Sequence, residues 1–244
     1  MIEIKDISKR FGKVQAVDGV SFTARDGHIT GLLGPNGAGK STSLRIISTV
    51  LKPDTGSVTV DGLDVQHDTN GARLKLGVLP HNSGLYPRLS ARENIRYYGE
   101  LNGLSGTDLK RRIDELVELL EIGDFAERPA KGYSQGQRIK VALARAIVHG
   151  PRNVVLDEPT NGLDVMATRA LRTLIRKLRD SGHCVLFSSH VMQEVAALCD
   201  GIVIIAHGRI VAEGTPDEIR RQTGEQDLEE AFVKAVGPHS EAVA

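Results

Sequence analysis

The chain has 244 residues, with 31 Lys and Arg against 31 Asp and Glu, 40% apolar residues, 4% aromatic residues and no Trp. That length builds one large domain or two small ones around an ample core, and zero net charge argues against a nucleic-acid partner, which leaves a basic excess or stripe. No run approaches the roughly 18 to 20 apolar residues of a membrane span, and residues 1–10 alternate apolar and charged side chains without the apolar centre of a signal peptide, so the expectation is a cytosolic protein that starts at Met1.

Residues 2–7, 20–24, 28–33 and 57–60 read as strands, with Asp26-Gly27 and Asp61-Gly62 as turn signals. The first sixty residues thus form an antiparallel β-rich portion that leads into the first core strand and a helix over 42–50. From about Ser90 to Gly150 the texture turns helical, and Leu109, Ile113, Leu116, Val117, Leu119 and Leu120 make one apolar face. This predicts a helical subdomain, about residues 84–150, inserted into an α/β core. Residues 154–157, 184–188 and 202–206 return to buried-strand character, with a crossover helix over 165–180. The class is α/β with a mostly parallel core sheet. One domain spans 1–215, and 216–244 is a short polar extension with an amphipathic helix over 227–236. Cys184 and Cys199 lack metal-ligand spacing and read as buried thiols.

Three segments carry chemistry. Gly34-Pro35-Asn36-Gly37-Ala38-Gly39-Lys40-Ser41-Thr42 fits GxxxxGK[ST] between an apolar strand and a helix. Its glycines let backbone N–H groups face a phosphate chain, and the helix start adds its positive dipole end. Lys40 is placed to reach the β- and γ-phosphates and the Ser41 hydroxyl to hold Mg²⁺. Asn153 to Glu158 is a buried strand ending in two acids, at the edge where an open α/β sheet binds ligands. Asp157 is the second Mg²⁺ partner, and Glu158 the group that polarises an attacking water. Ser134 and Gln137 form a capping box ahead of an apolar helix. Gly136 in its first turn weakens the helix unless something approaches the backbone closely. A second anion-binding helix start on one chain suggests two chains facing each other.

In this order and spacing the motifs resemble those of the ATP-binding subunits of ABC transporters, over about residues 2–215. The resemblance implies a P-loop NTPase of ABC type with ATP and Mg²⁺ as cofactors. Gly34 to Thr42 match Walker A, Val154 to Glu158 Walker B, and Ser134 to Gln137 the signature loop. Asn161-Gly162-Leu163-Asp164 is similar to the D-loop, with Asp164 at the dimer interface. His190 in Ser188-Ser189-His190 is similar to the switch histidine, and Phe11 falls where the family stacks an aromatic on adenine. Glu158 and His190 are thereby the catalytic pair. Ser134, Gly136 and Gln137 act on the ATP of the facing chain, in a homodimer or a heterodimer with a similar ATPase.

LPHNSGLYPRLSARENI, residues 79–95, and YSQGQRIKVALARA from Tyr133 are most similar to the Nat-type sodium-exporting ATPases, single-domain subunits that serve separate multi-span permeases. The implied function is export of sodium by a permease, with drug or lipid export as the alternative, and the implied place is the cytoplasmic face of the cell membrane. Leu85, Tyr86, Pro87 and Leu89 form an apolar loop patch suited to docking that partner. Two positions depart from the family. Gln135 replaces the usual Gly of the signature loop, and His81 stands where most relatives place the glutamine that contacts Mg²⁺ and water. His81 is not assigned as a Mg²⁺ ligand. A soluble ABC ATPase usually carries a coiled-coil insertion or a second ATPase domain, which 244 residues do not hold. A GTP switch would need an NKxD motif, and the chain has none.

Overall fold

Apolar residues at 2, 4 and 7 start the chain as a strand whose inner face is fully buried. In the computed structural model, which describes residues 1–82 and 84–237, β1 (Ile2–Phe11) turns at Gly12 into β2 (Val14–Ala24), pairing Ile4 with Phe22 and Phe11 with Val14. β3 (Ile29–Leu33) follows, then α1 (Lys40–Ile47), β4 (Thr55–Val60), β5 (Leu63–Asp64), α2 (Thr69–Leu74) and β6 (Leu76–Leu79). Three helices come next: α3 (Ala91–Leu101), α4 (Gly106–Leu119) and α5 (Gln135–Ile147). The chain returns through β7 (Asn153–Asp157), α6 (Val165–Asp180), β8 (Cys184–Ser189), α7 (Met192–Leu198), β9 (Gly201–Ala206) and β10 (Arg209–Gly214). It closes with α8 (Pro216–Thr223) and α9 (Leu228–Val236).

Two sheets result, one antiparallel in the order β2-β1-β4-β5 and one in the order β10-β9-β3-β8-β7-β6. In the second only β10 runs antiparallel to its neighbour. Its strands read as near-continuous apolar runs because both faces are buried. Period-2 alternation sends Leu32, Val155, Leu186 and Val203 to the core shared with the antiparallel sheet. Leu33, Val154, Leu156, Phe187 and Ile204 go to the core shared with the helices.

The observed elements run longer than expected in the first hairpin, and α1 starts at Lys40 and ends at Ile47, where a helix over 42–50 was expected. α6 falls on the expected residues 165–180, and α9 within 227–236 with Asp227 as its cap. The sequence reading lacked β5, α2, β6, β10, α7 and α8. Of the expected apolar face of α4, Leu119 turns outward while Leu109, Ile113, Leu116 and Val117 are buried. Both cysteines are buried and free, and burial pushes the Cys184 thiol up to about 12. The end of the 216–244 extension and Ser83 of the 79–95 run lie outside the described residues. Among the described residues no helix is long and apolar enough to cross a membrane.

Candidate active site

Strand order assembles the site. β6, β7, β8 and β3 are neighbours in the sheet, and parallel strands present their following loops at one edge, where open α/β sheets bind ligands. The loop after β6 carries His81, the residue after β7 is Glu158, the residue after β8 is His190, and the loop after β3 ends at Lys40. Three side chains, those of Lys40, His81 and His190, thus meet at the carboxylate of Glu158. Lys40 Nζ lies 3.6 Å from Glu158 Oε1, His190 Nδ1 3.3 Å from Glu158 Oε2, and His81 Nδ1 3.9 Å from that same oxygen.

The loop before α1 is held open by its own chain. Gly39 takes φ 108°, and a Cβ there would meet the Ala16 carbonyl oxygen of β2 at 2.5 Å. Only glycine fits that conformation and that gap. Pro35 is half-buried, Asn36 and Gly37 are exposed and Ala38 is buried, while Ser41 and Thr42 stand half-buried in the first turn of α1. Lys40 is only 4% exposed, and its ammonium donates to Gly34 O at 2.7 Å and Pro35 O at 3.1 Å. Burial pushes Lys40 below the usual lysine range, and the nearby carboxylates of Glu158 and Asp157 offset this only in part.

Glu158 is the tensest residue of the site. Its φ of 47° is left-handed, a conformation costly for a residue with a long side chain. The Ser188 hydroxyl stabilises the turn: it accepts the Glu158 N–H at 2.9 Å and donates to Asp157 Oδ1 at 2.8 Å. Sequence reasoning missed Ser188. Its signal was a pair of serines ending a buried apolar strand, since buried hydroxyls need partners.

The remaining positions lie around this centre. Phe11 is 49% exposed beside the β1–β2 turn, with the Lys9 ammonium 5.9 Å from its ring centroid. The capping box is present at the start of α5: Gln137 N–H donates to Ser134 Oγ at 3.2 Å, and Ser134 N–H to Gln137 Oε1 at 3.0 Å. A Cβ on Gly136 would lie 3.1 Å from the Ala167 methyl of α6, so close packing inside the chain already favours glycine. Asp164 caps α6 through Ala167 N–H at 2.8 Å, and the next two residues, Val165 and Met166, are 79% and 71% exposed. Among the described residues no cluster of three or more His, Cys, Asp or Glu forms a metal cage. Ser41 on α1 and Asp157 on β7, elements in contact with each other, are hard oxygen donors of the kind Mg²⁺ takes together with substrate phosphates.

Beyond the site, the loop before α3 is firmly shaped. Buried Asn94 accepts the Tyr86 N–H at 2.9 Å and donates to the carbonyls of Tyr86, Leu89 and Ser90. Tyr86 meets Tyr97 edge-on at 5.2 Å, Tyr97 meets Tyr98 at 5.8 Å, and the Arg145 guanidinium lies 3.7 Å over the Tyr98 ring. Leu85 packs against the core, so the outward patch consists of Pro87, the partly buried Leu89, and Tyr86, which is 43% exposed.

Comparison with known proteins gives the family. The ABC transporter family profile matches residues 17–161. The chain is 40% identical over 238 residues to the ABC transporter ATP-binding protein NatA of Bacillus subtilis, covering 96% of this chain and 97% of that protein. It is 34% identical over 236 residues to the linearmycin resistance ATP-binding protein LnrL of the same organism, covering 97% and 76%. Among solved structures it is similar to the ATP-binding cassette MJ0796, a dimer in a post-hydrolysis state bound to ADP and Pi. That likeness has a TM-score of 0.79 at 27% identity, over 88% of this chain and 98% of the other.

Proposed function

The chain belongs to the ABC transporter family as an ATP-binding, ATP-hydrolysing subunit, and on that premise we propose that it drives export of sodium ions through a separate membrane permease. The convergence of Lys40, His190 and His81 on the Glu158 carboxylate carries the catalytic part of this reading. The 40% identity to NatA over nearly the full length of both chains supports the transport part.

Lys40 exchanges its loop carbonyls for the β- and γ-phosphates of ATP, and Phe11 stacks on the adenine. Ser41 and Asp157 hold Mg²⁺, which when bound neutralises charge on the phosphate oxygens. Glu158 polarises the attacking water. His190 hydrogen-bonds the γ-phosphate and keeps Glu158 in register, so that donors and acceptors are set before charge develops. Each site is completed by a second copy, or a similar ATPase, that brings Ser134, Gly136 and Gln137 to the γ-phosphate. Asp164 and the exposed Val165 and Met166 lie on the facing surface, in keeping with the dimeric state of MJ0796. Hydrolysis removes the shared anion and the dimer opens, a two-state change driven by differential affinity.

His81 does the work of the usual glutamine: a neutral imidazole offers one donor and one acceptor, as an amide side chain does. His81→Gln accordingly keeps near-normal steady-state hydrolysis, and a hundredfold loss would remove this assignment.

The motion passes to the permease through Tyr86, Pro87 and Leu89, a patch held in place by Asn94 and the tyrosine ladder. In inverted membrane vesicles that hold the permease, ATP drives uptake of radiolabelled sodium. Tyr86→Ala with Leu89→Ala weakens co-sedimentation with those vesicles by about tenfold or more, the scale of losing an aromatic anchor. Undiminished co-sedimentation would sink the docking role. The 34% identity to LnrL favours a second reading, drug export, which ATP-driven uptake of a drug in place of sodium would select.

A further inference from the structure

The sheet ladder between β7 and β8 ends at the pair Asp157 and Ser188. Beyond it, no strand pairing fixes the separation of the two loops that carry Glu158 and His190. Side chains take over there. The Thr160 hydroxyl, two residues after Glu158, donates to Glu194 Oε2, and the Ser189 hydroxyl, one residue before His190, donates to that same oxygen at 3.1 Å. Ser189 Oγ in turn accepts the Val191 N–H at 3.0 Å, closing the turn around His190. Thr160 is 7% exposed and Ser189 2%, so neither hydroxyl has water as a ready substitute acceptor.

We propose that Glu194 is a positioning residue: its carboxylate bridges Thr160 and Ser189 and so sets the Glu158–His190 distance on which hydrolysis depends. The bridge rests on a fixed base. Glu194 sits on α7, whose Val195 and Leu198 are buried, and the helix lies so close to β3 that a Cβ on Gly31 would meet Val195 Cγ1 and Cys199 Sγ at 2.7 Å. α9 packs on α7 from another side, with Leu228 and Ala231 buried in the same core. Apolar packing therefore seats the helix without help from the carboxylate. Removing the carboxylate frees the two loops and leaves the helix in place. An ionised carboxylate oxygen takes two hydroxyl donors at once without a proton of its own, which a hydroxyl or a shorter side chain at 194 does not reproduce.

The inference rests on Glu158 and His190 acting as proposed above, so Glu158→Gln is assayed in parallel. Steady-state ATP hydrolysis and melting temperature are measured for Glu194→Ala, Glu194→Gln, Thr160→Val, Ser189→Ala and the pair Glu194→Ala with Thr160→Val. Glu194→Ala lowers kcat by about ten- to a hundredfold, the scale of a misplacement near 1 Å, with KM for ATP changed by less than about twofold. Glu194→Gln, whose amide oxygen still accepts, recovers most of the loss. The double variant is no slower than Glu194→Ala alone, because both changes cut one bridge. If Glu194→Ala does not fold, Thr160→Val carries the test, with a lower kcat at unchanged KM. A kcat within twofold of the unaltered protein for Glu194→Ala, beside an inactive Glu158→Gln, overturns the bridge alone. Parallel loss of kcat, ATP affinity and melting temperature, or no recovery in Glu194→Gln, also overturns it. Full activity of Glu158→Gln overturns the reading of the site and the bridge with it.

Discussion

Glu158→Gln binds ATP at least as tightly as the unaltered protein and hydrolyses it about 10² to 10⁴ times more slowly, the range of a lost general base. The amide keeps the volume and one acceptor, so the contact with His190 Nδ1, 3.3 Å in the unaltered site, survives in the half of its orientations that present oxygen. What disappears is the negative charge 3.6 Å from the Lys40 ammonium. That charge competes with the substrate's phosphates for Lys40, so its loss leaves the ammonium freer to bind them. The two effects separate binding from turnover. With Mg²⁺ and ATP the variant accumulates as a dimer on size-exclusion chromatography, because the shared anion is no longer consumed. Unchanged steady-state hydrolysis would refute the assignment of Glu158, and slow hydrolysis without a dimer would refute the shared site. The left-handed backbone at Glu158 is consistent with a residue kept for its chemistry, since conformational strain concentrates where function holds a side chain in one place.

The phosphate loop was legible from sequence because its chemistry demands contiguous residues: a Gly-rich turn, a Lys and a hydroxyl at the start of a helix. Asp157 and Glu158 were legible for a related reason, as acids closing a buried strand. The partners that set their geometry were not. Ser188 reaches Glu158 across 30 positions and Glu194 reaches Thr160 across 34, and such pairings depend on which strands lie side by side. The missed strand β6 makes the point. Its four residues, LGVL, show no alternation, and its burial comes from pairing with β7 and packing against α5. Without β6 in place, His81 reads as a loop histidine; with β6 beside β7, the loop that follows delivers His81 to Glu158. Gly136 has two reasons to be glycine: the sequence argument asks for an outside group close to its backbone, and within the chain a Cβ there would lie 3.1 Å from the Ala167 methyl.

Lys40→Ala separates a binding residue from a structural one by the sign of its effect on stability. Its folded-state pKa lies below the ordinary lysine range because burial disfavours the ammonium more than Glu158 and Asp157 favour it. For a base whose pKa falls on folding, the charged form is a net burden to the folded state. The burden is fully present below the lowered pKa and is relieved as pH rises towards the unfolded value. Removing the ammonium therefore leaves the melting temperature of the ATP-free protein unchanged or raised. At roughly 2 to 4 °C per kcal/mol for a chain of this size, a scanning measurement resolves the direction. The rise in melting temperature that ATP produces is where the variant loses. Charge-assisted hydrogen bonds of about 1.5 to 3 kcal/mol go with the ammonium. ATP affinity then falls by about ten- to a hundredfold, and turnover falls with it. Lys40→Arg does not rescue binding, because a residue only 4% exposed has no room for a planar guanidinium. An unaltered ATP titration for Lys40→Ala would remove the phosphate role. A drop of several degrees without ATP would show instead that the ammonium holds the loop together through Gly34 and Pro35.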